Sequence, residues 1–201
     1  MKTTTKSLLL VIAAGTAVLG LALAGTLDPP GPPAPTMVTL QQIYDVMHPI
    51  DACFDNVGRF ADCGNGTVKD TVTGLTWLKN ANCFGTKDWA AANIAASQLA
   101  NGQCGLTDGS AKGAWRLPTQ AQWQALVKTT CSSPALADKT GFACYAASPW
   151  ATGVQSSYYQ SSTTNTINPT NVVLISLATG SLANDMKSSS AYYVWPVRGG
   201  Q

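Results

Sequence analysis

The sequence predicts an α+β fold that is stabilised by disulfide bonds. Strand-like segments precede and follow two helical segments, an order that favours antiparallel sheets over a parallel α/β fold. The 201 residues include 18 Gly and 11 Pro, which indicates many turns and loops. They also include six Cys, an even number that suits a set of disulfides in an exported protein.

Residues 1–24 are predicted to form a secretory signal peptide. Lys2 and Lys6 precede an uncharged apolar run over residues 7–24, which ends in the small-residue pattern Ala-Leu-Ala. The alternative is an uncleaved membrane anchor, but the run is short for a spanning helix. We therefore expect an exported protein, located in the periplasm, on the cell surface or outside the cell, with no membrane insertion after cleavage.

The charge balance gives no support for a nucleic-acid partner. The chain has 12 basic and 10 acidic residues, and only 11% of its residues are charged. Loss of Lys2 and Lys6 with the signal peptide leaves ten of each sign, so the mature chain is formally neutral. A neutral chain lacks the positive surplus that attracts DNA, RNA or anionic membranes.

The residue types present argue against catalysis. The chain contains no Glu, and its one imidazole belongs to His48. A catalytic triad or a cluster of His ligands would have to be built on His48, which stands beside Pro49 with no recognisable partner. We therefore expect no catalytic residue, no metal and no cofactor.

Two short segments separate the signal peptide from the main domain. Residues 25–37 are a Pro-rich linker, in which repeated Pro favours extended polyproline II structure. Residues 38–50 are predicted to hold a short amphipathic helix, capped by Thr39 and ended by Pro49. Its apolar face either docks on the main domain, which we favour, or pairs with another copy to form a homo-oligomer.

The six cysteines are expected to pair in the order in which they occur. Six cysteines allow 15 pairings, so the sequence alone leaves the connectivity open. The spacing favours Cys53–Cys63, Cys83–Cys104 and Cys131–Cys144, each of which closes a short loop. A Cys-rich metal site is the alternative, but the chain has no C-x-x-C pair. Each disulfide should stabilise the fold by about 2–4 kcal/mol.

Periodicity and turn residues give the order of the predicted elements after residue 51. Two helices, capped by Thr86 and Thr119, are expected between an early pair of strands and a later group. The predicted elements are strands at 67–70 and 75–78, a helix from 86 towards 101, a helix after Pro118, a loop over 131–157, and strands at 157–161, 172–177 and 192–198.

The loop over residues 128–157 is the best candidate for a ligand site. It carries cationic and aromatic side chains without periodicity: Lys128, Lys139, Phe142, Tyr145 and Trp150. Aromatic rings can stack on sugar faces, and loops on rigid scaffolds commonly carry function. The alternative, which we consider the more frequent case, is that the aromatic residues fill a small core beneath the loop.

The motifs of residues 51–201, taken in order, resemble the Lcl C-terminal domain family. The matching segments are RF at 59–60, GNGTVKD at 64–70, TGLTW at 73–77, WRLPT at 115–119, YQSST at 159–163, VVLISLATG at 172–180 and YVWPVRGG at 193–200. Asn65 and Gln160 depart from the family's usual Asp and Trp. We interpret the motif residues as structural: Trp77, Trp115, Arg116, Leu117, Pro118, Trp195 and Arg198, with Arg116 bound to an Asp or a backbone carbonyl.

The resemblance implies a C-type-lectin-like fold with two helices, antiparallel strands and a long loop region, in a secreted or surface-displayed bacterial protein. The family's best-known domain ends a collagen-like adhesin that binds sulfated glycosaminoglycans as a trimer. This chain lacks collagen repeats, a basic surplus and the Glu-Pro-Asn and Trp-Asn-Asp triplets of lectin calcium sites. The fold is also similar to that of formylglycine-generating enzymes, but their redox-active Cys pair and metal positions are not recognisable here.

From these observations we expect a non-catalytic binding or adhesion domain that recognises a glycan or a surface protein. The first alternative is a structural subunit of a surface appendage or envelope assembly, joined through the predicted helix at 38–50 and the Pro-rich linker. The second is a degenerate relative of the formylglycine-generating enzymes. A glycan array and a solution mass measurement distinguish the first two.

Overall fold

A computed structural model describes residue 53 and residues 58–188 and 191–199. The predicted signal peptide, the Pro-rich linker and the predicted helix at 38–50 lie outside the described residues. The described part is an α+β fold of two helices, two mainly antiparallel sheets and three disulfides. None of its helices has the length and apolar character that a membrane crossing requires.

The described residues form nine strands and two helices. In chain order they are β1 (Phe60–Asp62), β2 (Thr67–Asp70), β3 (Leu75–Leu78), β4 (Thr86–Lys87), α1 (Trp89–Gln98), α2 (Gln120–Leu126), β5 (Tyr158–Thr164), β6 (Asn171–Ser176), β7 (Leu182–Met186), β8 (Tyr192–Tyr193) and β9 (Val197–Gly199). A 3₁₀ turn, Tyr145–Ala147, lies in the long loop before β5.

The first sheet has the strand order β1-β2-β3-β9 and is antiparallel throughout. The predicted strands at 67–70 and 75–78 are confirmed as β2 and β3. Strand β1 was not predicted, because three residues are too few to show an alternating pattern. Its position is fixed instead by pairing with β2 and by an ion pair in which Arg59 holds the Asp70 carboxylate with two hydrogen bonds, of 2.9 and 2.8 Å.

The second sheet has the order β4-β8-β5-β6-β7. Its pairs are antiparallel except β5 with β8, which is parallel and contributes one registered pair, Tyr159 with Tyr193. The single strand predicted at 192–198 is wrong, since the segment divides into β8 in this sheet and β9 in the first sheet. Pro196 lies between the two strands; it has no N–H for a ladder, while its carbonyl accepts a hydrogen bond from Leu78.

The two helices differ in how well the sequence predicts their starts. Thr119 caps α2 as predicted, and Gln122 completes a capping box with it. The expectation that Thr86 caps the first helix is wrong, because Thr86 pairs with Tyr193 in the second sheet. Asp88 takes the cap position of α1, where its carboxylate accepts a hydrogen bond from the Ala91 amide at 2.8 Å.

Aromatic rings form the centre of the hydrophobic core between the two sheets. Trp195 lies 5.3 Å from Trp77, 6.0 Å from Trp123 and 5.4 Å from Trp150, measured between ring centroids. The indole N–H of Trp195 donates to the Leu78 carbonyl at 2.6 Å, and that of Trp123 donates to the Gln160 carbonyl at 3.0 Å. These bonds satisfy the indole N–H groups of Trp195 and Trp123, whereas that of the buried Trp77 has no hydrogen-bond partner among the described residues.

The three disulfides join Cys53 to Cys63, Cys83 to Cys104 and Cys131 to Cys144. This is the order of pairing that the spacing of the cysteines favours. The first bond attaches residue 53 to the turn of the β1–β2 hairpin, and the third closes a loop that contains two of the candidate ligand residues, Lys139 and Phe142. The disulfides fit a protein that is exported to an oxidising compartment.

Candidate functional site

The loop that the sequence singles out is held by a buried carboxylate. Asp138, which is 4% exposed, accepts hydrogen bonds from the Thr140 hydroxyl at 2.7 Å and from the amides of Gly141 and Ala143 at 3.0 and 3.2 Å. The Thr140 bond is the main cause that lowers the pKa of this carboxyl, and the loop amides add to it against the effect of burial. The tip of the loop, residues 139–143, is therefore fixed by its own polar contacts.

Lys128 reinforces the same tip and is not available as a recognition residue. Its ammonium donates to the carbonyls of Gly141 and Phe142, at 3.2 and 2.5 Å. This arrangement fixes the backbone beneath Phe142, whose side chain is 88% exposed. Of the five candidate residues in the loop, Phe142 is the one that presents an aromatic ring to solvent.

Tyr145 and Trp150 belong to the hydrophobic core, so the prediction that they are exposed ligand contacts on the loop is wrong. Trp150 is 4% exposed, and its ring stacks on Phe60 with centroids 4.0 Å apart. Its N–H donates to the Ala137 carbonyl at 3.1 Å, and the Tyr145 hydroxyl donates to the Ala151 carbonyl at 2.6 Å. Burial raises the pKa of Tyr145. The alternative interpretation, a core beneath the loop, describes both residues.

Lys139, the fifth candidate, lines a small open cleft of about 130 Å³ beside the loop, which we call the Asp62 cleft. Four polar side chains reach its wall, from Asp62, Lys79, Lys139 and Thr152. Its apolar wall is formed by Phe60, Pro149, Trp150 and Ala151. The cleft therefore combines charged groups at its mouth with an apolar wall that belongs to the core.

The charges of the cleft are arranged around Asp62. The Lys79 ammonium lies 2.5 Å from the Asp62 carboxylate, and both side chains are 37% exposed. Burial favours the neutral form of Asp62, but the hydrogen bonds from Lys79 and the Gly64 amide, with the charges of Lys79 and Lys139, outweigh it and lower the pKa of the carboxyl. Among the described residues, the lining of the cleft thus brings together two lysine ammonium groups and one carboxylate, a formal excess of one positive charge.

Sequence reasoning missed three of the four polar residues of the cleft. Asp62 ends β1 and Lys79 follows β3, so the two side chains meet because β2 places the ends of these strands side by side. Thr152 belongs to the long loop and is held next to Lys79 by a backbone hydrogen bond. Its amide donates to the Lys79 carbonyl at 2.8 Å. No local pattern marks these residues, because contacts distant in sequence create the site.

The family-motif residues lie in or beside the core. Trp77, Trp115, Leu117, Pro118 and Trp195 are all buried. Arg116 donates to the carbonyls of Leu117 and Gly199, at 3.3 and 3.0 Å, and to the side chain of Gln122 at 2.8 Å. These bonds tie the chain before α2 to β9.

Arg198 and the family-motif turn at residues 64–67 also make structural contacts. The Arg198 guanidinium lies 3.1 Å from the buried Asp108 carboxylate and 5.2 Å from the centre of the Trp115 ring. Asn65 accepts hydrogen bonds from the amide and hydroxyl of Thr67, at 3.2 and 2.7 Å. At Gly66, where φ is +83°, any Cβ would collide with the Gly105 carbonyl, so the turn requires glycine.

The part of the chain that the structure describes contains no group of three or more His, Cys, Asp or Glu side chains suited to a metal ion. Chemically, the Asp62 cleft offers two ammonium donors, one hydroxyl and one carboxylate on a rigid frame. Such a set can hold an anionic or hydroxyl-bearing group by hydrogen bonds and charge.

A comparison with protein families finds a match for this chain. The model of the Lcl C-terminal domain matches residues 66–198, which is most of the described part of the chain. No curated protein and no solved structure matches the sequence.

Proposed function

Because the chain belongs to the Lcl C-terminal domain family, we propose that it is a non-catalytic binding domain, exported to the periplasm, the cell surface or the exterior, which recognises an anionic group on a glycan or protein partner. The observation that carries the proposal is the Asp62 cleft, where, among the described residues, Lys79 and Lys139 line the wall together with the Asp62 carboxylate. The C-type-lectin-like relationship and the adhesive role that the resemblance implies are part of the proposal.

The size of the cleft favours a small group at the end of a larger ligand. A typical pocket for a small-molecule ligand measures roughly 300–1,000 Å³. The cleft, at about 130 Å³, is smaller and suits a single group such as a carboxylate or a sulfate better than a sugar chain. The rest of the ligand would lie on the surface beside the cleft. A glycan that carries one acidic substituent fits this description better than a neutral one.

Phe142 supplies the second contact. Its exposed ring stands on the same loop tip that provides Lys139, and Asp138 and Lys128 hold that tip in one conformation. A fixed ring loses little conformational entropy when it stacks on a sugar face or packs against an apolar side chain. One such contact contributes roughly 0.5–1.5 kcal/mol beyond the area that it buries.

These contacts together give weak binding. One excess positive charge and one exposed ring support a monovalent dissociation constant in the range of about 10 µM to 1 mM. Useful adhesion then depends on several copies displayed together, since multivalency raises avidity without new contacts.

The test is an array of neutral, carboxylated and sulfated glycans, probed with the mature chain and followed by titration of the best ligand. We expect acidic glycans to bind in preference to neutral ones, and Lys139→Ala and Phe142→Ala to weaken binding by roughly tenfold each. Asp62→Asn should strengthen binding, because it removes the carboxylate that competes for the two ammonium groups. Lys112→Ala, at an exposed lysine outside the cleft, is the matched control and should change nothing.

Three results would contradict the proposal. One is equal binding of neutral and acidic glycans, and another is an equal loss of binding with Lys112→Ala and Lys139→Ala. The third is a loss of binding in EDTA, since ammonium donors need no metal ion.

A further inference from the structure

We propose that two copies of this chain associate by antiparallel pairing of strand β7 with β7 of the second copy, which joins their five-stranded sheets into one. Strand β7 is the last strand of its sheet, and among the described residues no strand pairs with its outer edge. A strand with an unpaired edge presents a row of N–H and C=O groups that favours pairing with another chain.

The hydrogen bonds between β6 and β7 show which groups face outward. The Ser176 amide donates to Ser181, and the Lys187 amide donates to Thr170, so odd-numbered positions from 181 to 187 are bonded to β6. Because the bonds of an antiparallel pair alternate along the strand, Leu182, Asn184 and Met186 direct their amides and carbonyls to the outer edge.

The outward-facing residues of β7 are spaced evenly about Asn184. Two copies can therefore pair about a two-fold axis that passes between their Asn184 residues. With Asn184 opposite its own copy, Leu182 of each chain stands opposite Met186 of the other. In each of the three pairs, both residues direct their N–H and C=O groups towards the other chain. Each pair can exchange two backbone hydrogen bonds, which gives up to six between the chains. The Met186 amide now donates to the Asp185 side chain at 2.8 Å, and it would exchange that bond for one across the interface.

The side chains of β7 are also complementary to themselves. Leu182 and Met186 are 38% and 49% exposed, and the two-fold register brings each against the other across the interface. The one charged residue, Asp185, falls opposite Ala183, so like charges do not meet. Asp185 also accepts a hydrogen bond from the Tyr192 hydroxyl at 2.5 Å. This match to its own sequence favours a second copy of the chain over an unrelated partner.

Among the described residues, the other sheet ends are covered or shortened, whereas at β7 the one bond on the outer edge is that of the Met186 amide to the Asp185 side chain. Strand β4 has two residues, one of them Lys87, and the β1 end is covered where the Phe60 amide donates to the Lys139 carbonyl at 3.0 Å. Strand β9 is covered by its bridge to Arg116. Strand β7 has five residues with no Pro, no Lys and no bulge in its pairing with β6. Proline, lysine, a bulge or a very short strand normally keeps the edge of a sheet from pairing with another chain.

The first experiment is sedimentation velocity on the mature chain over a series of concentrations. We expect a reversible monomer–dimer equilibrium, and Asn184→Pro should raise its dissociation constant roughly tenfold or more, since it removes two of the central hydrogen bonds. The Asn184 amide faces away from β6, so proline is compatible with the folded sheet. The variant Leu182→Lys/Met186→Lys should also dissociate the dimer, whereas Ile94→Lys, at a 62% exposed position on α1, should not.

The second experiment tests the register. In a dimer centred on Asn184, the two Asn184→Cys positions face each other as a hydrogen-bonded pair, with Cα atoms about 5.5 Å apart, a distance suited to a disulfide. Asn184→Cys should therefore cross-link under mild oxidation, and Ala183→Cys, which lies opposite Asp185, should not. A wild-type chain that stays monomeric at every concentration, a folded Asn184→Pro variant that still dimerises, or equal cross-linking of both cysteine variants would overturn the proposal.

Discussion

Phe142 and Trp150 show how little a residue's type says about its role in this protein. Both are aromatic, both lie in one loop that lacks periodicity, and a local interpretation treats them alike. The structure separates them, since Phe142 is 88% exposed and Trp150 is 4% exposed. The difference arises from partners distant in sequence, because Trp150 packs on Phe60 and Trp195.

This difference predicts opposite behaviour when each ring is removed. Trp150→Ala should lower the free energy of unfolding by about 3–5 kcal/mol, because it leaves a cavity in the aromatic core. Phe142→Ala should change it by less than about 0.5 kcal/mol, as is usual for an exposed side chain. Urea denaturation of both variants beside the wild type measures the two values.

A small effect of Trp150→Ala would show that the ring is not part of the core and would restore it as a candidate ligand contact. A large effect of Phe142→Ala would show that its ring packs against the protein, which would remove it from the proposed binding surface.

At the scale of elements, the starts of the two helices show where local signals succeed. The capping box of α2 is a local motif, in which Thr119 accepts from the Gln122 amide at 3.2 Å and Gln122 accepts from the Thr119 amide at 2.9 Å. Such a motif can be read from the sequence. The residues before α1 are different, because Thr86 and Lys87 pair with β8, more than a hundred residues later. That long-range pairing moves the cap to Asp88.

The local motif gives a prediction for α2. Thr119→Ala should lower the free energy of unfolding by about 1 kcal/mol, because the Gln122 amide loses its side-chain acceptor. Thr166→Ala, at an exposed position in the β5–β6 connection, is the matched control. Thermal and urea unfolding of the two variants measure the difference. Equal stability of Thr119→Ala and Thr166→Ala would show that the cap does not stabilise the helix.

At the scale of the whole molecule, covalent bonds and one divided strand hold the fold together. The segment that contains β8 and β9 contributes to both sheets, and Trp195 lies between them in the core. The three disulfides are distributed along the chain, with sequence separations of 10, 21 and 13. The last of them encloses Asp138, Lys139 and Phe142, so it constrains the loop that supports the proposed site.

Removal of this disulfide should affect both stability and the loop. In the variant Cys131→Ser/Cys144→Ser, no disulfide restricts this loop in the unfolded chain, so the unfolded state gains conformational entropy. We therefore expect the free energy of unfolding to fall by about 3 kcal/mol. Amide hydrogen exchange should increase first at residues 138–143, whose bonds depend on the loop conformation. Unchanged stability together with unchanged exchange would show that Asp138 and Lys128 hold the loop without the covalent bond.

The sequence by itself determined the α+β class, the family, the presence of both helices and the start of α2, because each of these rests on local patterns or on ordered motifs. The three disulfides in the structure are those that the spacing of the cysteines favours. Only the tertiary structure decided where the candidate site lies. Asp62, Lys79 and Thr152 meet Lys139 through strand pairing and loop packing, and Trp150 leaves the surface because the same packing requires its ring in the core. Local periodicity carries no signal for such contacts, since they join residues that are far apart in the chain.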